Sequence, residues 1–261
     1  MPEMMVHQAS GLLGLADHAC PQLIAMVSHG DARTEQPTLW QLCGTLAGLN
    51  YPVMVLDGTS RETADNPGLQ QLLEYRFGYA PGETVADTSD CQIIPSAIGL
   101  NLLESPEQLA ASGHLFPPNT VVIVYADCLR LASLLAGTGV TPLISLCEEK
   151  NSVLTSYLAL KLLLREARLE PLFLNMMEPA RTRSSAGPKG LPGGIGACAR
   201  QFLGYEVTAI TIQSTPQANP RNPQLRQLAL VLLENALPLR GHAMAAAQGA
   251  PWGNAFIGRN V

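Results

Sequence analysis

The chain has 261 residues, 47% hydrophobic and 14% charged, with mean hydropathy +0.14 and a formal charge of -5. Enough apolar side chain is present to build one large α/β domain or two small ones, which excludes global disorder, and the few scattered basic residues argue against nonspecific nucleic-acid binding. No run of about 18 apolar residues offers a membrane span, and the chain begins without the basic and apolar regions of a signal peptide, so the expected location is cytoplasmic.

Residues 1–22 form a prelude in which Val6, Ala9, Leu12, Leu13 and Ala16 follow a three-four spacing, a candidate short helix. It reads either as a helix lying on its own domain or as a detachable peptide that docks on a partner. Residues 23–27 (LIAMV) then form a short apolar strand, 28–36 a polar turn ending before Pro37, 38–49 a helix, and 51–57 a second strand ending on Asp57. Strand, loop, helix and strand make one βαβ unit, and in a parallel sheet ligands sit beyond the carboxyl ends of the strands, at this first loop. A phosphate-binding loop needs several glycines followed by Lys and Ser or Thr. This one has a single glycine, Gly30; Asp31 and Glu35 carry charges that repel phosphate, and no lysine precedes Lys150.

Further on, a loop follows Asp57, residues 69–78 read as a short helix and 91–96 as a short strand. Residues 119–128 are the clearest central strand, 129–137 a helix stopped by glycine, and 140–147 the next strand. Residues 152–167 have strong helical spacing, with Lys161 and Arg165 on a solvated face. A strand over 172–177 is followed by a Gly- and Pro-rich surface loop over 181–196, whose Arg181, Arg183 and Lys189 could meet an acidic partner. Residues 197–204 (helix), 206–213 (strand) and 222–239 (helix) complete an α/β domain over 23–240, and 241–261 is a flexible tail carrying Trp252 and Phe256.

No HxxH, HExxH or GxSxG pattern is present, so no metal and no catalytic residue is assigned, and His29 reads most simply as a solvated loop histidine. Cys20, Cys43, Cys91, Cys128, Cys147 and Cys198 contain no CxxC pair and suit buried thiols in a reducing compartment.

The first βαβ unit resembles the opening of the MinD/ParA family of deviant P-loop ATPases, and within it the FlhG (FleN) branch. Laid without a gap on that family's G-K-G-G-V-G-K-[ST] loop, the equivalent residues are His29, Gly30, Asp31, Ala32, Arg33, Thr34, Glu35 and Gln36. The intermolecular lysine falls on Gly30, the phosphate lysine on Glu35 and the Mg²⁺-binding hydroxyl on Gln36, while the acidic residue closing the second strand survives as Asp57. Residues 6–15 (VHQASGLLGL) are similar to the D-Q-A-x-G-L-R segment that in FlhG stimulates the GTPase FlhF. Gln8, Ala9, Gly11 and Leu12 match, with His7 and Leu13 departing. Residues 147–163 resemble the family's T-P-E-P-T-S-L-T-D-A-Y segment, and 172–177 its strand ending in the adenine-contacting Asn, here Asn175. The family's D-T-x-x-G after the central strand is displaced, with Asp127 two residues beyond the expected place.

The resemblance implies a P-loop NTPase-like fold, a mostly parallel twisted sheet flanked by helices, with a degenerate nucleotide site, no bound cofactor and no catalysis. Three classes of function follow: a MinD-like scaffold or regulator that binds protein partners during assembly or placement of a bacterial surface machine such as the flagellum; an ATPase or ATP-binding switch with a site rebuilt from Arg33, Asp57 and Asp127; or an unrelated small-molecule enzyme on a similar sheet. The missing lysine favours the first. The implied partner is an FlhF-like GTPase or a secretion-machine component, with cellulose or pilus secretion as neighbouring roles and membrane recruitment through the partner.

Overall fold

The structure, a computed structural model, describes residues 20–74, 91–147, 149–177, 194–213 and 222–240. Alternation decides its layering. Leu23, Ala25 and Val27 of β1 (Gln22–Ser28) pack into one apolar cluster, while Ile24 and Met26 pack into another on the opposite face. The same alternation runs through β2 (Val53–Asp57), with Met54 and Leu56 against Val53 and Val55, and through β4 (Val121–Asp127), with Val122 and Val124 against Val121 and Ile123. Strands apolar on both faces belong in the middle of a parallel sheet covered by helices on each side.

The remaining strands are β3 (Cys91–Pro95), β5 (Leu143–Leu146), β6 (Leu172–Met177), β7 (Thr208–Gln213) and β8 (Leu237–Pro238). The sheet order is β3-β2-β4-β1-β5-β6-β7, with all neighbours parallel, and β8 pairs antiparallel with the start of β1. Between them run α1 (Ala32–Ala47), α2 (Leu69–Leu73), α3 (Ala97–Leu102), α4 (Pro106–Ala111), α5 (Cys128–Leu135), α6 (Lys150–Leu162), α7 (Ile195–Cys198) and α8 (Pro223–Glu234). On one face α1 contributes Leu39, Leu42, Cys43 and Leu46, and α8 contributes Leu225, Leu228, Ala229 and Leu232. The other face is closed by Leu100 of α3, Leu109 of α4, Leu131 and Leu135 of α5, and Leu160 of α6. Each fully buried leucine contributes about 2 kcal/mol by leaving water.

Three local features differ from the sequence reading. The first helix starts at Ala32, not after Pro37, so only the residues up to Asp31 remain as loop, and Ala32, Arg33, Thr34, Glu35 and Gln36 are helical. A proline that deep in a helix removes one backbone donor. The start is nevertheless held, because the Asp31 carbonyl accepts the N–H groups of Thr34 and Glu35, and the Thr34 hydroxyl bonds the Asp31 carboxylate at 2.7 Å. The long helix over 152–167 gives way after Leu162 to a wider π turn, Leu163–Ala167, which ends on the left-handed Arg168. Finally, the last helix stops at Glu234, and β8 then returns to β1, with the Leu239 N–H donating to the Pro21 carbonyl at 2.8 Å. That return passes so close to Gly113 that a Cβ there would lie 2.1 Å from the Leu239 carbonyl oxygen. No helix among the described residues is long and apolar enough to cross a membrane.

Candidate functional site

The parity that sorts the two cores also aims the strand ends. Ser28, Asp57 and Tyr125 continue the series on the α1 side of β1, β2 and β4, and the register sets Asp57 beside Tyr125. Gly30, at φ +91°, turns the loop back toward the helix start. Glu35, in the first turns of α1, reaches into the space so formed. Its Oε1 accepts the backbone N–H groups of His29 at 2.9 Å and Asp31 at 2.7 Å; its Oε2 accepts the Ser28 hydroxyl at 3.1 Å and the Tyr125 phenol. Burial, and then the Glu35 bond, hold the Tyr125 phenol above its ordinary pKa, which keeps it a donor.

His29 is inserted on the other side of the loop. Its Nε2 lies 2.7 Å from the Ser145 carbonyl oxygen of β5, and its Nδ1 lies 2.9 Å from Thr155 Oγ1 of α6 and 3.6 Å from Glu35 Oε1. A ring nitrogen facing a carbonyl carries the hydrogen, so Nε2 is the donor to β5. The His29 and Glu35 side chains are 2% and 1% exposed, which replaces the reading of His29 as a solvated loop residue. Asp31 faces Thr34, Ser152 and Cys147; burial works to raise its carboxyl, and the hydroxyls of Ser152 and Thr34 with the nearby His29 outweigh that and leave it below its ordinary value.

The other loop residues turn outward. Ala32, Arg33 and Gln36 are exposed, and Arg33 pairs with Glu149 at 3.2 Å across the surface. Asp57 is committed to its own turn, accepting the Thr59 N–H at 2.9 Å and the Thr59 and Ser60 hydroxyls at 2.6 and 2.5 Å. Asp127 caps α5 by accepting the Arg130 N–H at 3.0 Å. Asn175, near the end of β6, is buried, and among the described residues its Oδ1 has no hydrogen-bond partner. Gln8, Ala9, Gly11 and Leu12 lie outside the described residues, as do the loop basics Arg181, Arg183 and Lys189. Among the described residues no three His, Cys, Asp or Glu side chains gather as a metal site.

Two loop amides and two hydroxyls aimed at one point form a cradle for an oxyanion. Here the chain's own Glu35 carboxylate fills it. In this arrangement the four donors are taken by Glu35, and Gln36 points to solvent without a hydroxyl. Sequence reasoning placed Glu35 as a charge that repels phosphate and missed Ser28 and Tyr125 as its partners; strand parity carried that signal, once the pairing of β1, β2 and β4 was known.

No family model matches the sequence, and no curated protein matches it. Solved structures do. The MinC:MinD cell division protein complex of Aquifex aeolicus is 13% identical and aligns over 84% of this chain and 98% of that one, with a TM-score of 0.50. The cell division ATPase MinD of Pyrococcus furiosus (14% identity, 82% and 97% coverage, TM-score 0.49) and a ParA family ATPase of Chlorobium tepidum TLS (14%, 83% and 98%, 0.48) are also similar. At such identities the likeness is one of fold: a mostly parallel sheet flanked by helices, of the MinD/ParA P-loop type. It also corrects one expectation, that the chain is not an enzyme. The fold is shared with the MinC:MinD complex structure, so the missing loop lysine is not by itself a ground for placing the chain outside enzymes.

Proposed function

We propose that this chain is a MinD-like regulator that acts by binding protein partners in the assembly or placement of a bacterial surface machine such as the flagellum. The observation that carries the reading is the Glu35-closed loop. At the carboxyl ends of the central strands, four hydrogen bonds to one carboxylate close the β1–α1 connection, the Tyr125 bond among them holds it against β4, and His29 holds it against β5 and α6. A surface fixed in this way is formed before any partner arrives and loses little freedom on binding. The similar Aquifex structure is of MinD together with MinC, which supports protein binding as a use of this fold. The flagellar assignment rests on Gln8, Ala9, Gly11 and Leu12 and their likeness to the GTPase-stimulating segment.

The test is GTP turnover by an FlhF-like GTPase with the full chain added. Stimulation that disappears in a Gln8→Ala/Leu12→Ala variant supports the assignment; stimulation unchanged in the variant, or none from the unaltered chain, rejects the flagellar partner. Calorimetric titration with ATP and Mg²⁺ reports separately on the loop. Micromolar binding there requires Glu35 to leave its four donors, and would make the partner surface one under nucleotide control.

A further inference from the structure

Helix α6 carries a stripe that packing among the described residues does not use. Residues at 150, 154, 158 and 161 recur at spacings of four, four and three, so they share one side of the helix. They are Lys150, Leu154, Leu158 and Lys161, all exposed, and Arg165 in the following π turn extends the line by four more. Leu154 and Leu158 are 58% and 54% exposed, although the helix buries Ser152, Ser156, Ala159 and Leu160 on its other side. The Cys128 thiol donates to the Ala159 carbonyl at 3.4 Å, bringing the start of α5 to the middle of α6. Leu129, the next residue of α5 after Cys128, is 68% exposed, a third large apolar side chain in the chain segment that the Cys128–Ala159 contact joins to α6.

The charges around these leucines are as unusual as the leucines. Two of the three lysines in the chain are on this stripe. Among the described residues Lys150, Lys161 and Arg165 form no ion pair, whereas Arg33 and Arg200 pair with Glu149 and Glu206. The pattern is thus an apolar centre with a cation at each end, Lys150 and Lys161 being separated by about 17 Å along the helix.

We infer that this face of α5 and α6 docks an amphipathic helix of a protein partner, one with apolar residues at its middle and carboxylates at both ends. The inference rests on the protein-binding function proposed above and names its surface. A second copy of this chain is disfavoured, because two-fold packing of the stripe on itself sets the Lys150 end of one copy against the Lys161 and Arg165 end of the other. An anionic membrane fits less well: Glu149, Glu166 and Glu170 interrupt the basic residues, and a net charge of -5 opposes approach to an anionic surface. A helix with its own carboxylates can instead meet the three cations one by one, while its apolar residues cover Leu129, Leu154 and Leu158.

The test uses the full chain and three designed helical peptides that share one apolar centre and end in Glu/Glu, Gln/Gln or Lys/Lys. The Glu/Glu peptide is expected to bind about tenfold more tightly than Gln/Gln, with Lys/Lys weakest. Leu158→Asp should abolish binding, and Lys150→Glu/Lys161→Glu should reverse the order of the Glu/Glu and Lys/Lys peptides. Equal affinities for the three peptides, or a Leu158→Asp chain that binds as before, overturn the inference. So does binding to phosphatidylserine vesicles or self-association that depends on Leu154 and Leu158, each of which assigns the face to another occupant. These results are independent of GTPase stimulation, so an unused stripe with intact stimulation rejects the surface and leaves the proposed function standing.

Discussion

Glu35 and Tyr125 are ninety residues apart in the chain, and in the fold the phenol of one donates to the carboxylate of the other. Tyr125→Phe removes that donor and leaves Oε2 of Glu35 with the Ser28 hydroxyl alone. Loss of one buried hydrogen bond to a charged acceptor should lower unfolding stability by about 1.5–3 kcal/mol, read from the urea midpoint at unchanged slope.

Glu35→Ala removes the acceptor of all four bonds and leaves the His29 and Asp31 amides unpaired. It should destabilise by more than Tyr125→Phe, and Glu35→Gln, which keeps an acceptor for the two amides, by less. The emptied cradle then presents its donors to solvent, so inorganic phosphate at millimolar concentration is expected to raise the Tm of Glu35→Ala and not that of the unaltered chain. A phosphate response equal in the two proteins would show that the cradle is not where the anion binds.

Glu62 is buried in the loop after β2, where its carboxylate accepts the N–H groups of Ile98 and Gly99 at the start of α3, each at 2.7 Å, and that of Gln70 in α2 at 3.3 Å. One acid thereby joins two short helices that offer little stability of their own. Glu62→Ala should cost about 2–4 kcal/mol and should speed amide hydrogen exchange in α2 and α3 before the central strands respond.

The lowered carboxyl of Asp31 has a sign that can be followed. A group held below its ordinary value of 3.8 adds stability above that value and loses it as the pH falls through the folded-state value. The unaltered chain should therefore lose stability more steeply between pH 5 and 3 than Asp31→Asn does, while above pH 6 the two curves should run parallel. Parallel curves throughout would mean that Asp31 takes no part in the acid response.

The cysteines divide by environment. A bond from the Cys43 thiol, working against burial, draws the Cys91 thiol below its ordinary pKa, whereas the bond to Cys91 and then burial push Cys43 up. Burial, followed by the charge of Asp127, raises Cys128 to about 11. Brief iodoacetamide treatment at pH 8 followed by peptide mass mapping should find Cys91 modified ahead of Cys43 and Cys128, since the thiolate is the nucleophile. Modification of Cys128 first would contradict this order.

Much of the architecture was legible in the residues themselves. The apolar runs of β1, β2 and β4, the helical spacing of α6 and the turn residues between them are local patterns, and local patterns suffice to say that a parallel sheet is covered on both faces. They also suffice to locate the first loop at its carboxyl end and to show that the loop has no lysine. The start of α1 was not legible, because the penalty of Pro37 is visible in sequence, while the bonds of Asp31 with Thr34 and Glu35 that offset it depend on how the loop folds back. Nor was the role of Glu35, whose partners include Tyr125 in β4, or that of His29, whose partners Ser145 and Thr155 lie 116 and 126 residues away. Periodicity records which face a side chain takes. The register between strands that are distant in sequence decides what it meets there, and that is set only when the whole sheet closes around its two cores.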